Sequence, residues 1–316
     1  MRMVDAARGQ IAQNAQMQEL TPRVAVVSLV AVGALVVAPA IWPRRALAQQ
    51  AQNPSPMVEH TRAHPRLVDT KPPGPREPLE LGTFFLPRRL VPEPGRTKTV
   101  PLLVVFHAGA WLPEVAGDKV GAAVIAVQLK ASSGGYAASV EDAGRFGSLI
   151  GEAERKAGVR FRPITVAGWS AGCGALRELA RQPASLSRVD RVIAIDGIHT
   201  DYMEGKPGPL ESRIGTGNLE PWLALARDAI AGRRRLLILH TEIFPGTFAS
   251  TTETADWLIR ELGLRRRPVA RFGPMGTVLL SDTRAGRLRI QGYAGNSAPD
   301  HVDLLHALPD LLRMRE

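Results

Sequence analysis

The chain has 316 residues, of which 45% are apolar, a formal charge of +10 and a single cysteine. That is enough apolar surface for one sizeable core, while a lone thiol excludes an intrachain disulfide and any multi-cysteine metal site. The charge is carried mostly by arginine, in short clusters at 233–235 and 265–267 that lack interleaved aromatics, so nucleic-acid binding is not expected.

Residues 24–42 are apolar apart from Ser28, with Arg23 before them and Arg44 and Arg45 after. Ala46 and Ala48 then form a small-x-small pattern. Residues 1–48 therefore read as a signal segment cleaved before Gln49, which places the protein in the cell envelope or outside the cell, periplasmic or extracellular. The stretch before Arg23 is long for such a segment and makes Met17 a candidate start. The competing reading is an uncleaved anchor that attaches the chain to a membrane through residues 24–42. Residues 49–78 turn to proline, glutamine and charge and read as a linker. The globular domain is expected over 79–316, opening with an edge strand in 79–86.

Within that domain the run 100–106 is wholly apolar, as a strand buried on both faces of a parallel sheet should be. It ends in His107-Ala108-Gly109-Ala110-Trp111. A second apolar strand covers 122–129, followed by a small-residue loop at 132–135. The spacing of Ala143, Phe146, Leu149, Ile150 and Ala153 predicts a helix over 140–157. A strand at 164–167 leads into a helix at 171–181. Further strands are expected at 189–195, 236–239 and 287–291, and helices at 222–230, 251–262 and 302–312, the last with Asp300 as N-cap. This alternation predicts an α/β domain, a mostly parallel central sheet with helices on both faces.

The strand at 164–167 breaks at Gly168-Trp169-Ser170-Ala171-Gly172, a G-x-S-x-G pattern between a strand and a helix. A serine on so tight a turn needs small neighbours two residues away on either side. In return its Oγ is exposed above the start of a helix, where the Ala171 N–H favours a developing oxyanion. At these residues the chain resembles the α/β-hydrolase family. The resemblance implies a serine hydrolase that cleaves ester-like bonds through an acyl-enzyme, with nucleophile, acid and base in the chain order Ser, Asp or Glu, His.

Among seven histidines, the resemblance points to His301, on the loop after the last strand, as the base. Glu242, the first carboxylate after the strand at 236–240, is the preferred acid, and Asp196 is the alternative. The loop after the strand at 100–106 resembles an oxyanion loop with Ala108 in place of its first glycine, so Gly109 is expected to join Ala171 as a donor. Trp169 and Trp111 are candidates for an apolar substrate pocket, with Tyr136 and Phe244 as further aromatics. Cys173 reads as a small buried hydrophobe. Metal clusters, phosphate loops and dinucleotide fingerprints are missing from the sequence, so no metal or cofactor is implied. The expected partner is a small-molecule ester or acyl substrate. A peptidase or acyltransferase would use the same machinery, and a non-catalytic binding protein on the same fold is the reading from a different class.

Overall fold

Strands β3 (Lys98–Phe106), β4 (Ala123–Val127), β5 (Val159–Trp169), β6 (Arg191–Ile195) and β7 (Arg235–His240) are built from β-branched and other apolar residues. Apart from their ends they are almost wholly buried, which only a sheet covered on both faces allows. In the computed structural model, which describes residues 64–207 and 213–314, these strands run parallel. All described residues fall in one compact unit. The expected signal segment, the run 24–42 and most of the expected linker lie outside the described residues. None of the described helices is long and apolar enough to cross a membrane.

The sheet has ten strands in the order β1-β2-β4-β3-β5-β6-β7-β10-β9-β8. The short strands β1 (Arg76–Pro78) and β2 (Thr83–Phe85) form one antiparallel edge. Strand β10 (Leu288–Tyr293) is parallel to β7, whereas β9 (Val278–Ala285) and β8 (Pro268–Phe272) close the other edge antiparallel. The sheet is thus mixed but mostly parallel. Its direction of growth reverses at β3, since β4 lies on one side and β5 on the other. Such a switch point opens a crevice at the carboxyl ends of the strands.

Side-chain alternation sorts the core into two layers. Leu102, Val104 and Phe106 of β3 face one way, onto helices α2 (Ser133–Ala138), α3 (Arg145–Ala157), α4 (Cys173–Arg181), α5 (Glu220–Ile230) and α6 (Thr251–Glu261). Leu103 and Val105 face the other, onto α1 (Trp111–Val120), α7 (Ala298–His306) and α8 (Leu308–Arg313). Two of these helices depart from expectation. Residues 132–135 begin α2 instead of forming a loop, and α1 starts directly after the loop that follows β3. The terminal helix expected over 302–312 is instead α7 and α8, and α7 is capped by Ser297, with Asp300 at the third helical position of a capping box.

The described end of the presumed linker packs on the domain, so the folded part begins before Leu79. Asp303, fully buried on α7, binds His64 Nδ1 at 2.5 Å and Arg66 Nε at 2.9 Å. The Leu67 N–H donates to His306 Nδ1 at 3.0 Å. Further on, Arg76 pairs with buried Glu114 at 2.6 Å and stacks over Phe85.

At the β8–β9–β10 edge, buried Asp282 accepts two hydrogen bonds from Arg289, each 2.8 Å, and others from Arg284 and Arg271. Burial alone would raise the carboxyl pKa, but the hydrogen bonds and charges of Arg289 and Arg284 hold it below the usual carboxylate range. Removing one partner of a buried pair strands the other charge. Asp282→Ala should therefore lower stability by about 3–5 kcal/mol, read as a lower midpoint in urea unfolding. Asp228→Ala, at an exposed pair with Arg233, should change it by less than about 1 kcal/mol.

Candidate active site

Three adjacent parallel strands end in strained backbone. His107 after β3, Ser170 after β5 and Asp196 after β6 have φ of 67°, 50° and 46°. Non-glycine residues rarely enter this region, at a cost of about 1–3 kcal/mol each. The turn at Ser170–Gly172 is tolerated because glycines let backbone approach backbone. A Cβ at Gly168 would come within 2.9 Å of the Gly172 carbonyl, and one at Gly172 would overlap the Phe106 carbonyl oxygen. One at Gly197 would overlap the Ser170 carbonyl oxygen and lie 2.7 Å from Cys173 Sγ.

Asp196 is 2% exposed and receives four hydrogen bonds. Thr241 donates from its N–H at 2.9 Å and its hydroxyl at 2.8 Å, Thr251 Oγ1 donates at 2.6 Å, and His301 Nδ1 at 2.7 Å. Burial opposes the charged form, yet the His301 contact and the threonine and backbone donors outweigh it and hold the carboxyl well below its ordinary range. An ionised Asp196 fixes the proton of His301 on Nδ1 and leaves Nε2 as the acceptor.

Trp169 restrains the same imidazole. Its Nε1 donates to the His301 carbonyl at 3.0 Å, and its ring lies 4.6 Å from the His301 ring. On the other side Trp169 stacks on His107 at 5.2 Å. The Tyr136 hydroxyl donates to the Leu129 carbonyl and accepts from its N–H, both at 2.8 Å. With its single proton so used, it accepts from His107 Nδ1 at 3.0 Å, which fixes that histidine's tautomer. Burial, then the nearby His301, lowers the His107 pKa.

Ser170, Ala171, Asp196 and His301 line one cavity of about 450 Å³, together with Ser133, Gly134, Arg177, His199, Ile243, Pro245 and Phe248. Ser170 and His301 share it without a direct hydrogen bond between them, and catalytic contacts of this kind often tighten only with substrate bound. The structure brings Asp196, not Glu242, to the imidazole. Glu242 is exposed, and its carboxylate accepts from the Gly295 N–H at 3.4 Å. It borders a separate depression with His240.

The expected second donor is also displaced. Gly109 is exposed and does not line the cavity, because its loop turns directly into α1, with the Leu112 N–H on the Gly109 carbonyl. Ser133 and Gly134, in the first turn of α2, line the cavity together with Ala171. Trp169 and Trp111 are not cavity walls either: Trp169 is held between two histidines, and Trp111 packs on His306. Tyr136 is fully buried and Phe244 is exposed. Cys173 is a buried hydrophobe whose thiol pKa burial pushes up. Sequence reasoning missed Ser133, Gly134 and Arg177, whereas it sets His199, at a strand end from which it could approach the site, aside as base because it comes too early in the chain. The small residues at 132–135 were a usable signal, since Gly174 has no side chain in order to admit the Ser133 carbonyl. No group of side chains suited to a metal ion occurs among the described residues.

No protein-family model matches the chain, and no curated protein sequence matches it. Similar solved structures include an esterase from Pyrobaculum calidifontis, with TM-score 0.41 and 15% identity over 73% of this chain and 81% of that one. A poly(3-hydroxybutyrate) depolymerase from Bordetella parapertussis has TM-score 0.41 and 13% identity, over 74% and 84%. An acetyl xylan esterase from Aspergillus awamori has TM-score 0.41 and 12% identity, over 72% and 93%.

Two measurements follow from this geometry. Gly197→Ala should displace the Ser170 turn and lower the melting temperature, whereas Gly205→Ala, whose Cβ meets nothing within 4 Å, should cost only its positive-φ strain. Separately, burial lowers the pKa of His199 and of His240 from 6.5 to about 4. The unfolded chain then binds these protons first as pH falls, so stability is full above pH 6.5 and declines down to pH 4. A melting curve taken across that window should show the decline, and His240→Gln should remove about half of its slope. The Asp196 contribution is lost only at lower pH, below the unfolded carboxyl value of 3.8.

Proposed function

We propose that this protein is a serine hydrolase that cleaves ester-like bonds by acyl transfer, with Ser170 as nucleophile, His301 as general base and Asp196 as the acid that orients it. The observation that carries the reading is the 2.7 Å contact from His301 Nδ1 to buried Asp196, in the cavity where Ser170 stands on its strained turn. A hydroxyl is a poor nucleophile at its free pKa and needs an adjacent base, itself oriented by a third group.

In this reading His301 Nε2 takes the Ser170 proton as Oγ attacks the substrate carbonyl. The tetrahedral oxyanion is met by the Ala171 N–H. The Ser133–Gly134 backbone, where α2 begins with free N–H groups, supplies the second donor that was expected from Gly109. His301 then protonates the leaving alcohol. Water activated by the same imidazole attacks the acyl-enzyme, and its collapse releases the acid and restores Ser170. Every proton passes through one histidine, and Asp196 stays ionised throughout. The site of action is the cell envelope or outside the cell, on the strength of the apolar run 24–42 and the Ala46–Ala48 pattern.

A fluorophosphonate probe tests the nucleophile. Labelling should vanish in Ser170→Ala and persist in Cys173→Ala; a labelled Ser170→Ala protein would sink the proposal. Against para-nitrophenyl esters, Asp196→Asn should lower kcat by about 10³–10⁴-fold, and Glu242→Gln by no more than a few-fold. A large loss confined to Glu242→Gln would reassign the acid.

A further inference from the structure

The cavity treats its two kinds of charge in opposite ways. Asp196 receives four donors, whereas Arg177 receives no acceptor. It projects from α4, two helical turns beyond Ser170, and lines the same cavity. It is half-buried, and among the described residues it makes no hydrogen bond or ion pair. Its Nε is shut off from solvent without a partner. Of the nearby carboxylates, Glu178 is engaged by Arg181 at 3.0 Å, and Asp201 stands exposed on the cavity rim. Burial and the neighbouring Arg181 disfavour the Arg177 charge, an effect that Glu178 and Asp201 only partly offset. Beside it His199 also lines the cavity, has a buried Nδ1 without a partner and is neutral near pH 7. Ile243, Pro245 and Phe248 give the cavity one apolar wall, and Thr200, Asn218 and Thr251 complete the lining.

A half-buried guanidinium without an acceptor is costly for the folded protein alone and favourable once an anion arrives. We infer that this end of the cavity binds a carboxylate carried by the substrate, so that the preferred ester is one whose acyl or alcohol part bears a free carboxylate several bonds from the scissile carbonyl. The inference rests on the serine-hydrolase reading and adds the substrate class to it. A helix rises about 1.5 Å per residue, which puts the Arg177 backbone roughly 10 Å from that of Ser170. Helical side chains lean toward the N-terminus, which brings the guanidinium back toward the serine. A linker of a few methylenes spans what remains, along the apolar wall. One guanidinium fork matches one carboxylate, and Asp201 on the rim disfavours two negative charges concentrated on a single group, as in phosphate.

The test compares esters of matched size. Para-nitrophenyl hexanoate is set against the para-nitrophenyl monoester of adipic acid, which places a carboxylate at the far end of the acyl chain. The hexanoate of a carboxy-substituted nitrophenol places it on the alcohol instead. The wild-type protein should prefer one charged ester to the neutral one by about 10- to 100-fold in kcat/KM, the range of a charge-assisted hydrogen bond. In Arg177→Met that ratio should fall to about one or below, with Arg177→Lys intermediate. Which ester is preferred assigns the carboxylate to the acyl or the alcohol side. Circular dichroism and melting verify that the variants fold, with Arg177→Gln as a second neutral variant. The same ratio in wild type and Arg177→Met would overturn the anion subsite and leave the hydrolase reading intact. Inorganic phosphate inhibiting hexanoate hydrolysis more strongly than adipate would overturn the carboxylate assignment. Should no ester be turned over, the hydrolase reading falls. The subsite is then read by thermal shift with adipate: a shift lost in Arg177→Met supports it, and no shift in wild type overturns it.

Discussion

Everything at the site depends on how closely bare backbone can approach bare backbone at the carboxyl ends of β3, β5 and β6. Gly172 lies against the Phe106 carbonyl, Gly197 against the Ser170 carbonyl, and Gly174 against the Ser133 carbonyl. Each contact would be impossible with a Cβ, and together they fix the Ser170 turn from three directions. The positive φ at His107, Ser170 and Asp196 is the counterpart of this packing. Three strained residues cost several kcal/mol in all, at about 1–3 kcal/mol each. They persist because the two core layers on either side of the sheet hold the strand ends in place. Strain gathered at three neighbouring strand ends, at the switch point of a parallel sheet, is what a pre-organised site requires.

The histidine is held by means that rigid strands do not provide. His301 sits in the first turn of α7, a helix whose position has to be fixed from outside the sheet. Three separate segments do this. Asp196 accepts a hydrogen bond from Nδ1–H, Trp169 holds the backbone carbonyl and one face of the ring, and His64, Arg66 and Leu67 bind the helix through Asp303 and His306. Trp169 is thus a positioning residue placed beside Ser170, the proposed nucleophile. Because it precedes Ser170 directly, the turn that exposes the serine also sets the wedge that orients the imidazole.

Much of this was legible in the sequence, and the failures share a cause. Buried parallel strands announce themselves as unbroken apolar runs, and the elbow carries its own steric signature in Gly168 and Gly172. Strands β8 and β9 stayed invisible because they form a polar edge, whose argument for being strands is an arginine–aspartate cluster formed only across the sheet. The sequence left the choice between Asp196 and Glu242 open for a similar reason. Both follow strands and both precede His301, and one-dimensional order does not say which strand end the α7 loop leans over. Thr241 and Thr251 were the missed signal: two hydroxyl residues from different elements that converge on one carboxylate. Residues 132–135 looked like a loop because glycine and serine are poor helix formers. They form a helix because tertiary packing against α4 and the Ser132 cap override propensity.

The contrast between Asp196 and Arg177 also bears on why the cavity is built as it is. A protein that buries a carboxylate spends hydrogen bonds on it, because an unsatisfied buried charge destabilises the fold more than a good pair stabilises it. Asp196 follows that rule with four donors, and Asp282 does so with three arginines. Arg177 does not: Glu178 follows it directly on the helix and so faces another direction. Instead Glu178 is committed to Arg181, on the side of the helix away from the cavity lining. A charge kept half-buried and without an acceptor beside an apolar wall, where Asp196 and Asp282 are fully paired, makes physical sense when its counter-charge arrives from outside.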